Sequence, residues 1–122
     1  MTRSNAFLPY DTRTLPPAVV RYLSAQDDTS DRQSVVDVFA SNARVTDEGI
    51  TYKGQKAIRG WLTTAATEFT YTTTLIGQRS DEPDQWSVHA RIEGDFPGGV
   101  ADLGFQFSIF GGEITELSIS PL

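Results

Sequence analysis

Two polar residues, Tyr22 and Asp47, could take part in proton transfer and stand among apolar positions. Tyr22 is predicted to share a helix face with Val19 and Leu23, and Asp47 has the same strand parity as Val45. Both side chains are therefore predicted to face the interior. Burial disfavours the charged form of a carboxyl and raises its pKa, so a buried Asp47 would be a candidate general base near neutral pH.

Structural roles for the same residues stay open. A buried tyrosine usually finds a hydrogen-bond partner, so Tyr22 could be a core residue bonded to a backbone carbonyl or to Asp47. Asp47 precedes residues 48–49, Glu-Gly, and aspartate is common in turns. His89 is the single histidine and has the parity opposite to the apolar residues of its strand, which predicts the outer face of a sheet. One histidine without cysteine makes a poor metal site, so we expect neither metal nor cofactor.

The last third of the chain predicts three strands. Two of them show period-two apolar positions, which is typical of strands with one buried face; these positions are Trp86, Val88, Ala90 and Ile92 in the first, and Leu103, Phe105, Phe107 and Ile109 in the second. Residues 111–112, Gly-Gly, suit a hairpin turn that needs positive φ. In the final strand Ile114 is out of phase with Leu117 and Ile119, and a β-bulge would restore the phase.

The first two thirds predict three helices and short strands. The predicted buried positions are Val19, Tyr22 and Leu23 in the first helix, Val35, Val36 and Phe39 in the second, which ends at residues 41–42, and Ile58, Trp61, Leu62 and Ala65 in the third. A strand over residues 43–47 turns at Gly49 into residues 50–52. The threonine-rich and aromatic segment 68–77 favours a further strand. Helices followed by strands indicate an α+β domain with helices on one face of an antiparallel sheet.

Composition excludes several classes of protein. The chain has 122 residues, enough for one domain, with 39% hydrophobic and 21% charged residues. Its formal charge of −6 disfavours nucleic acid and anionic membranes as partners. It contains no cysteine, and residues 1–10 lack the apolar segment of a signal peptide, so we expect a cytoplasmic protein.

The order of elements, together with several short passages, resembles the NTF2-like superfamily, which includes ketosteroid isomerases and SnoaL-like polyketide cyclases. The passages are AVVRYL at 18–23, VFASNARVTD at 38–47, YKGQKAI at 52–58, GDFPGG at 94–99 and GEITELSI at 112–119. The resemblance covers residues 16–122 and leaves 1–15 as an N-terminal extension. It implies a cone-shaped fold in which three N-terminal helices pack on a strongly curved antiparallel sheet.

The resemblance also implies functional residues. Asp47 matches the carboxylate that moves a proton, and Tyr22 matches the tyrosine that donates a hydrogen bond to the substrate oxygen. The cone would bind an apolar small molecule, with a wall formed by Val19, Ile58, Trp61, Leu62, Trp86, Val88, Ala90, Leu103, Phe105 and Phe107. Phe105 occupies the position of the second, protonated acid of ketosteroid isomerases, and Asp102 has the wrong parity to replace it. A standard steroid isomerase is therefore not expected.

Three functions follow as hypotheses. The first is a cofactor-independent isomerase, cyclase or dehydratase that acts on an apolar, carbonyl-bearing ligand. The second is a binder of apolar molecules without catalysis, and the third is a dimerisation module with a filled core. Relatives in this superfamily usually pair through the outer sheet face, so we expect a homodimer; here that face would carry His89, Arg91, Gln106, Ser108 and Phe110.

Overall fold

The computed structural model describes residues 6–25, 34–63 and 71–122. The α-helices are α1 (Pro17–Ser24) and α2 (Gly54–Thr63), and a 3₁₀ helix covers Val35–Val38. The strands are β1 (Leu8–Pro9), β2 (Phe39–Asp47), β3 (Ile50–Lys53), β4 (Tyr71–Glu82), β5 (Gln85–Gly94), β6 (Val100–Phe110) and β7 (Glu113–Pro121). None of the helices in these ranges is long and apolar enough to cross a membrane.

The seven strands form one curved sheet in the order β1-β4-β5-β6-β7-β2-β3. Every neighbouring pair is antiparallel except β2 and β7, which run parallel. A register shift between Ser108 and Ile109 in the pairing of β6 with β7 brings Ile114 opposite Ile109, so the predicted bulge is confirmed. The helices and the curved sheet confirm the α+β class, and the parallel pair is a feature that the sequence pattern did not predict.

The core lies between the inner face of the sheet and the two α-helices. Helix α1 begins at Pro17, where the missing N–H and the fixed φ of proline are tolerated, and it buries Val19, Tyr22 and Leu23. Helix α2 buries Ile58, Trp61 and Leu62 at the predicted helical spacing. Ala65 of the predicted third helix and residues 68–70 of the predicted strand 68–77 lie outside the described residues.

The second predicted helix is wrong over its last part. Val35–Val38 is one turn of 3₁₀ helix, and residues 39–42 belong to β2 rather than to the end of an α-helix. The same apolar spacing allows both arrangements, because Val35, Val36 and Phe39 are all buried in the observed structure. Pairing of Phe39 with Ile114 of β7 places this residue in the sheet. Residues 27–30, where that helix is predicted to begin, lie outside the described residues.

The N-terminal segment is tied to the sheet edge. Leu8 and Pro9 pair antiparallel with β4, and Phe7 packs on the outer face over Gly77, where a Cβ atom would lie 2.8 Å from the Cβ of Phe7. The guanidinium of Arg79 lies 4.7 Å from the Phe7 ring centroid. These contacts explain why glycine stands at position 77, because a Cβ atom there would lie closer to Phe7 than van der Waals contact allows. The predicted boundary between residues 1–15 and 16–122 stays a prediction.

Candidate functional site

Asp47 is the last residue of β2 and faces inward beside a turn. It follows Ala43 and Val45, which are fully buried, and it is itself half-buried. Residues 48 and 49 have φ of 52° and 79° and close a two-residue turn onto Ile50 of β3. Asp47 is therefore both a residue next to a turn and a carboxyl on the inner face, so the two interpretations of the sequence describe the same geometry.

The Trp61 indole holds the Asp47 carboxyl. Trp61 Nε1 donates a hydrogen bond to Asp47 Oδ2 at 3.1 Å, because α2 packs against β2 and directs the indole to the end of that strand. Burial raises the pKa of Asp47, and the hydrogen bonds from Trp61 and from the backbone N–H of Glu48 oppose this effect in part. None of the ion pairs within the described ranges includes Asp47. The carboxyl is thus desolvated without a compensating cation.

Tyr22 lies behind the indole in an aromatic cluster. The ring of Tyr22 is stacked on Trp61 with centroids 6.4 Å apart and an interplanar angle of 16°. Phe39, Phe105 and Phe107 surround it at centroid distances of 5.8, 6.3 and 5.9 Å. Tyr22 is only 1% exposed. The structure therefore connects Tyr22 to the carboxyl through the Trp61 indole, a link that the sequence did not predict.

The predicted wall residues fall into three groups by exposure. Val19, Ile58, Leu62, Val88 and Ala90 are fully buried, Trp61, Phe105 and Phe107 are almost so, and Trp86 and Leu103 are half-buried. A residue without accessible surface borders no space large enough for a water molecule. The first group therefore acts as packed core in this structure, whereas the half-buried side chains are the ones with surface left for a ligand.

Half-buried inward side chains continue from Asp47 across the sheet, and we call Leu75, Leu103 and Ile119 the inner band. Ile119 pairs with Asp47 on one side and with Phe105 on the other. Leu103 pairs with Ala90, which pairs with Leu75. Sequence reasoning did not include Leu75 and Ile119 in the site. Strand parity alone would have found Ile119, which alternates with the buried Leu117.

The outer face of the sheet carries a separate polar cluster. Asp102 Oδ1 lies 2.9 Å from His89 Nε2 and accepts a hydrogen bond from Arg91 Nε at 3.2 Å. These two partners lower the pKa of Asp102. His89 and Asp102 thus have the outward parity that the sequence predicted, away from Asp47. Within the described ranges, no three histidine or acidic side chains lie close enough together to bind a metal ion.

Neither a protein-family model nor a curated protein sequence matches this chain. Solved structures do. A candidate polyketide cyclase from Sinorhizobium meliloti is 31% identical with a TM-score of 0.80, and the match covers 91% of this chain and 100% of that one. A protein with a ketosteroid-isomerase-like fold from Catenulispora acidiphila, in complex with trimethylamine, is 20% identical over 88% and 86% of the two chains with a TM-score of 0.74. An NTF2-like protein from Cytophaga hutchinsonii is 13% identical over 86% and 87%, with a TM-score of 0.64. By the first similarity and the shared fold, this chain belongs to the NTF2-like, SnoaL-like superfamily.

Proposed function

We propose that the chain binds an apolar small molecule against the inner band and that Asp47 transfers a proton to and from this molecule. The observation that carries the proposal is the half-buried carboxyl of Asp47, whose pKa burial raises and which has no cation at ion-pair distance among the described residues. A raised pKa makes a carboxylate a stronger base and brings its titration nearer to neutral pH. Isomerisation, cyclisation and dehydration all require such a base.

The hydrogen bond from Trp61 gives the carboxyl a fixed orientation. Because the indole N–H engages Oδ2, rotation of the carboxyl is restricted, and the position of its oxygens relative to the inner band is defined. The indole itself is held by stacking on Tyr22. A fixed base is more effective than a mobile one, since the reacting atoms are already close to hydrogen-bond distance when the ligand binds.

Tyr22 is proposed as the hydrogen-bond donor to the ligand's oxygen. Phe105, at the position where a second acid would stand, cannot donate, so the developing oxyanion would depend on one side-chain donor. The loss of one such donor typically reduces transition-state stabilisation by ~3 kcal/mol. The proposed substrates are therefore those with relatively acidic C–H groups, such as carbons placed between two carbonyls.

The similarity to a candidate polyketide cyclase supports this class of substrate. Polyketides carry C–H groups between carbonyls, and a carboxylate base in an apolar surrounding can remove such protons without a metal or cofactor. That neighbour is 31% identical over nearly all of this chain. An intramolecular aldol cyclisation of a polycarbonyl ligand is accordingly the reaction that we place first among the three types.

A substrate-independent test uses 5-nitrobenzisoxazole. When a base removes its C–H proton, the electron pair forms a nitrile, the N–O bond breaks and a coloured phenolate is released. We expect saturable turnover by the wild type that Asp47→Asn abolishes and Tyr22→Phe reduces less, because a water can partly replace the donor. Asp37→Asn, which neutralises an exposed carboxylate in the 3₁₀ helix, is the matched control and should keep full activity. An Asp47→Asn protein as active as the wild type would refute the base.

Ligand binding without turnover is the second candidate function. The nearly complete burial of Tyr22 favours it, since a phenol enclosed by four aromatic rings is not open to a ligand in this structure. In that case decan-2-one, an apolar ketone, should bind the wild type and Asp47→Asn with similar affinity, and 5-nitrobenzisoxazole should not turn over. Calorimetric titration with decan-2-one establishes binding in either case, and the turnover of 5-nitrobenzisoxazole separates the two functions.

Homodimer formation through the outer sheet face is proposed independently of catalysis. Phe110 is 77% exposed on this face, so its ring offers apolar surface that a second copy of the chain would bury. His89, Arg91, Gln106 and Ser108 share the face and would supply polar contacts. Light scattering at micromolar concentration should give twice the monomer mass, and Phe110→Ser should shift the mass toward the monomer. A monomeric wild type would refute the interface.

A further inference from the structure

Thr73 carries a buried hydroxyl without a hydrogen-bond partner among the described residues. The residue lies on β4, pairs with Ile92 of β5 and has the inward parity of Leu75. Its neighbours in sequence point the other way: Thr74 is exposed on the outer face, and Thr72 Oγ1 donates to the carbonyl of Glu93 at 3.4 Å. Thr73 is thus the inward-facing residue of the three threonines, and its buried hydroxyl has no partner among the described residues.

An unsatisfied buried hydroxyl is unfavourable, because it has lost water without gaining a protein partner. Valine would fill the same space without this penalty, and it is also a better residue for a buried strand position. The residue as a whole is only half-buried. In this structure the hydroxyl lies on the shielded side of the residue, and a ligand oxygen bound at the accessible side would be reached by rotation about the Cα–Cβ bond.

Thr73 lies at the far side of the inner face from Asp47. The order β4-β5-β6-β7-β2 places four strand spacings between them, ~19 Å across the sheet at the usual spacing of neighbouring strands, and the two residues are also offset along the strands by the four residues from Phe105 to Ala101 of β6. Curvature makes the direct distance shorter. Across the strands, Thr73 pairs with Ile92, which pairs with Ala101. The next inward set along these strands is Leu75, Ala90 and Leu103, and it contains two residues of the inner band. The band therefore leads from the carboxyl toward the hydroxyl.

We propose that Thr73 is a specificity-determining residue that donates or accepts a hydrogen bond at the distal end of the ligand. This inference rests on the proposed function and narrows its substrate class. The ligand is an elongated apolar molecule with a carbonyl-type group near Asp47 and a second oxygen at its other end. A ligand oxygen at that position satisfies the hydroxyl that the protein alone leaves without a partner.

The test compares straight-chain methyl ketones, from octan-2-one to dodecan-2-one, each with and without a terminal hydroxyl. Their dissociation constants are measured by calorimetric titration for the wild type, Thr73→Val and the matched control Thr74→Val. At the chain length that fits, the preference for the hydroxylated ketone should be about two- to tenfold weaker in Thr73→Val than in the wild type. Thr74→Val should retain the wild-type preference, because its side chain faces outward.

A ligand-free measurement checks the starting observation. Removal of an unsatisfied hydroxyl should raise the melting temperature of Thr73→Val by about 4 °C, whereas Thr74→Val should change it little. A lower melting temperature of Thr73→Val would show that the hydroxyl has a partner in solution and would overturn the inference. An unchanged preference at every chain length, with all ketones bound, would overturn it while leaving the proposed function standing. If no ketone binds the wild type, the proposed function fails and the inference fails with it.

Discussion

Asp47→Asn should make the protein more stable at neutral pH. Burial raises the pKa of the Asp47 carboxyl above its ordinary value of 3.8, so the folded state disfavours the charge that the unfolded chain accepts freely. Asparagine has nearly the same shape and carries no charge. Its Oδ1 can still accept the hydrogen bond from Trp61 Nε1, whereas its NH2 group cannot accept a bond from the backbone N–H of Glu48. Because the carboxyl is only half-buried, solvent screening weakens this effect, and the free energy of unfolding should rise by less than ~1 kcal/mol.

The sign of the pH dependence distinguishes this mechanism from a general packing effect. Between 3.8 and the raised folded pKa of Asp47, the folded wild type binds more protons than the unfolded chain, so its free energy of unfolding falls as the pH rises through this window. The advantage of Asp47→Asn should therefore be complete above the window and vanish below pH 3.8. Urea denaturation across this range gives the difference, with Asp37→Asn as the control. An Asp47→Asn protein that is less stable at pH 7 would refute a desolvated, unpaired carboxyl.

Three further substitutions test individual parts of the structure. Phe107→Ala should reduce the free energy of unfolding by ~3–5 kcal/mol in urea denaturation, because the ring is 1% exposed and packs on Tyr22, and a loss below ~0.5 kcal/mol would contradict a packed core position. Glu48→Asn should increase stability by about 0.5–1 kcal/mol, since Glu48 has a φ of 52° in a turn that favours Asn-Gly; no gain would contradict the left-handed backbone. Trp61→Phe should raise the pKa of the neighbouring carboxyl further, because the indole hydrogen bond lowers it, and an unchanged NMR titration would refute that bond.

Strand periodicity predicted the part of the fold that local pattern determines. The alternation in β5 and β6 gave the inward faces correctly, because Val88, Ala90, Phe105 and Phe107 are buried. The phase error at Ile114 correctly indicated a bulge. These features depend on neighbours within one or two strands, so the sequence contains the signal for them.

The structural features that sequence patterns did not predict depend on contacts between residues far apart in the chain. Phe39 fits a helical stripe as well as a strand, and its pairing with β7, far along the chain, decides for the strand. The hydrogen bond between Trp61 and Asp47 requires α2 to pack on β2 at a particular angle, and no local spacing specifies that angle. The inward hydroxyl of Thr73 is also invisible in the sequence, because all three threonines in residues 72–74 have the same strand propensity.

The most direct test of the central claim is the titration of the Asp47 carboxyl by carbon NMR, with and without saturating decan-2-one. The Asp47→Asn spectrum assigns the resonance. We predict a midpoint above 3.8 in the free protein, because burial outweighs the two hydrogen bonds, and a further rise with the ketone bound, because an apolar ligand excludes more water from the carboxyl. A midpoint at or below 3.8, or one that saturating ketone does not change, would contradict a proton-transferring carboxyl at an apolar binding site.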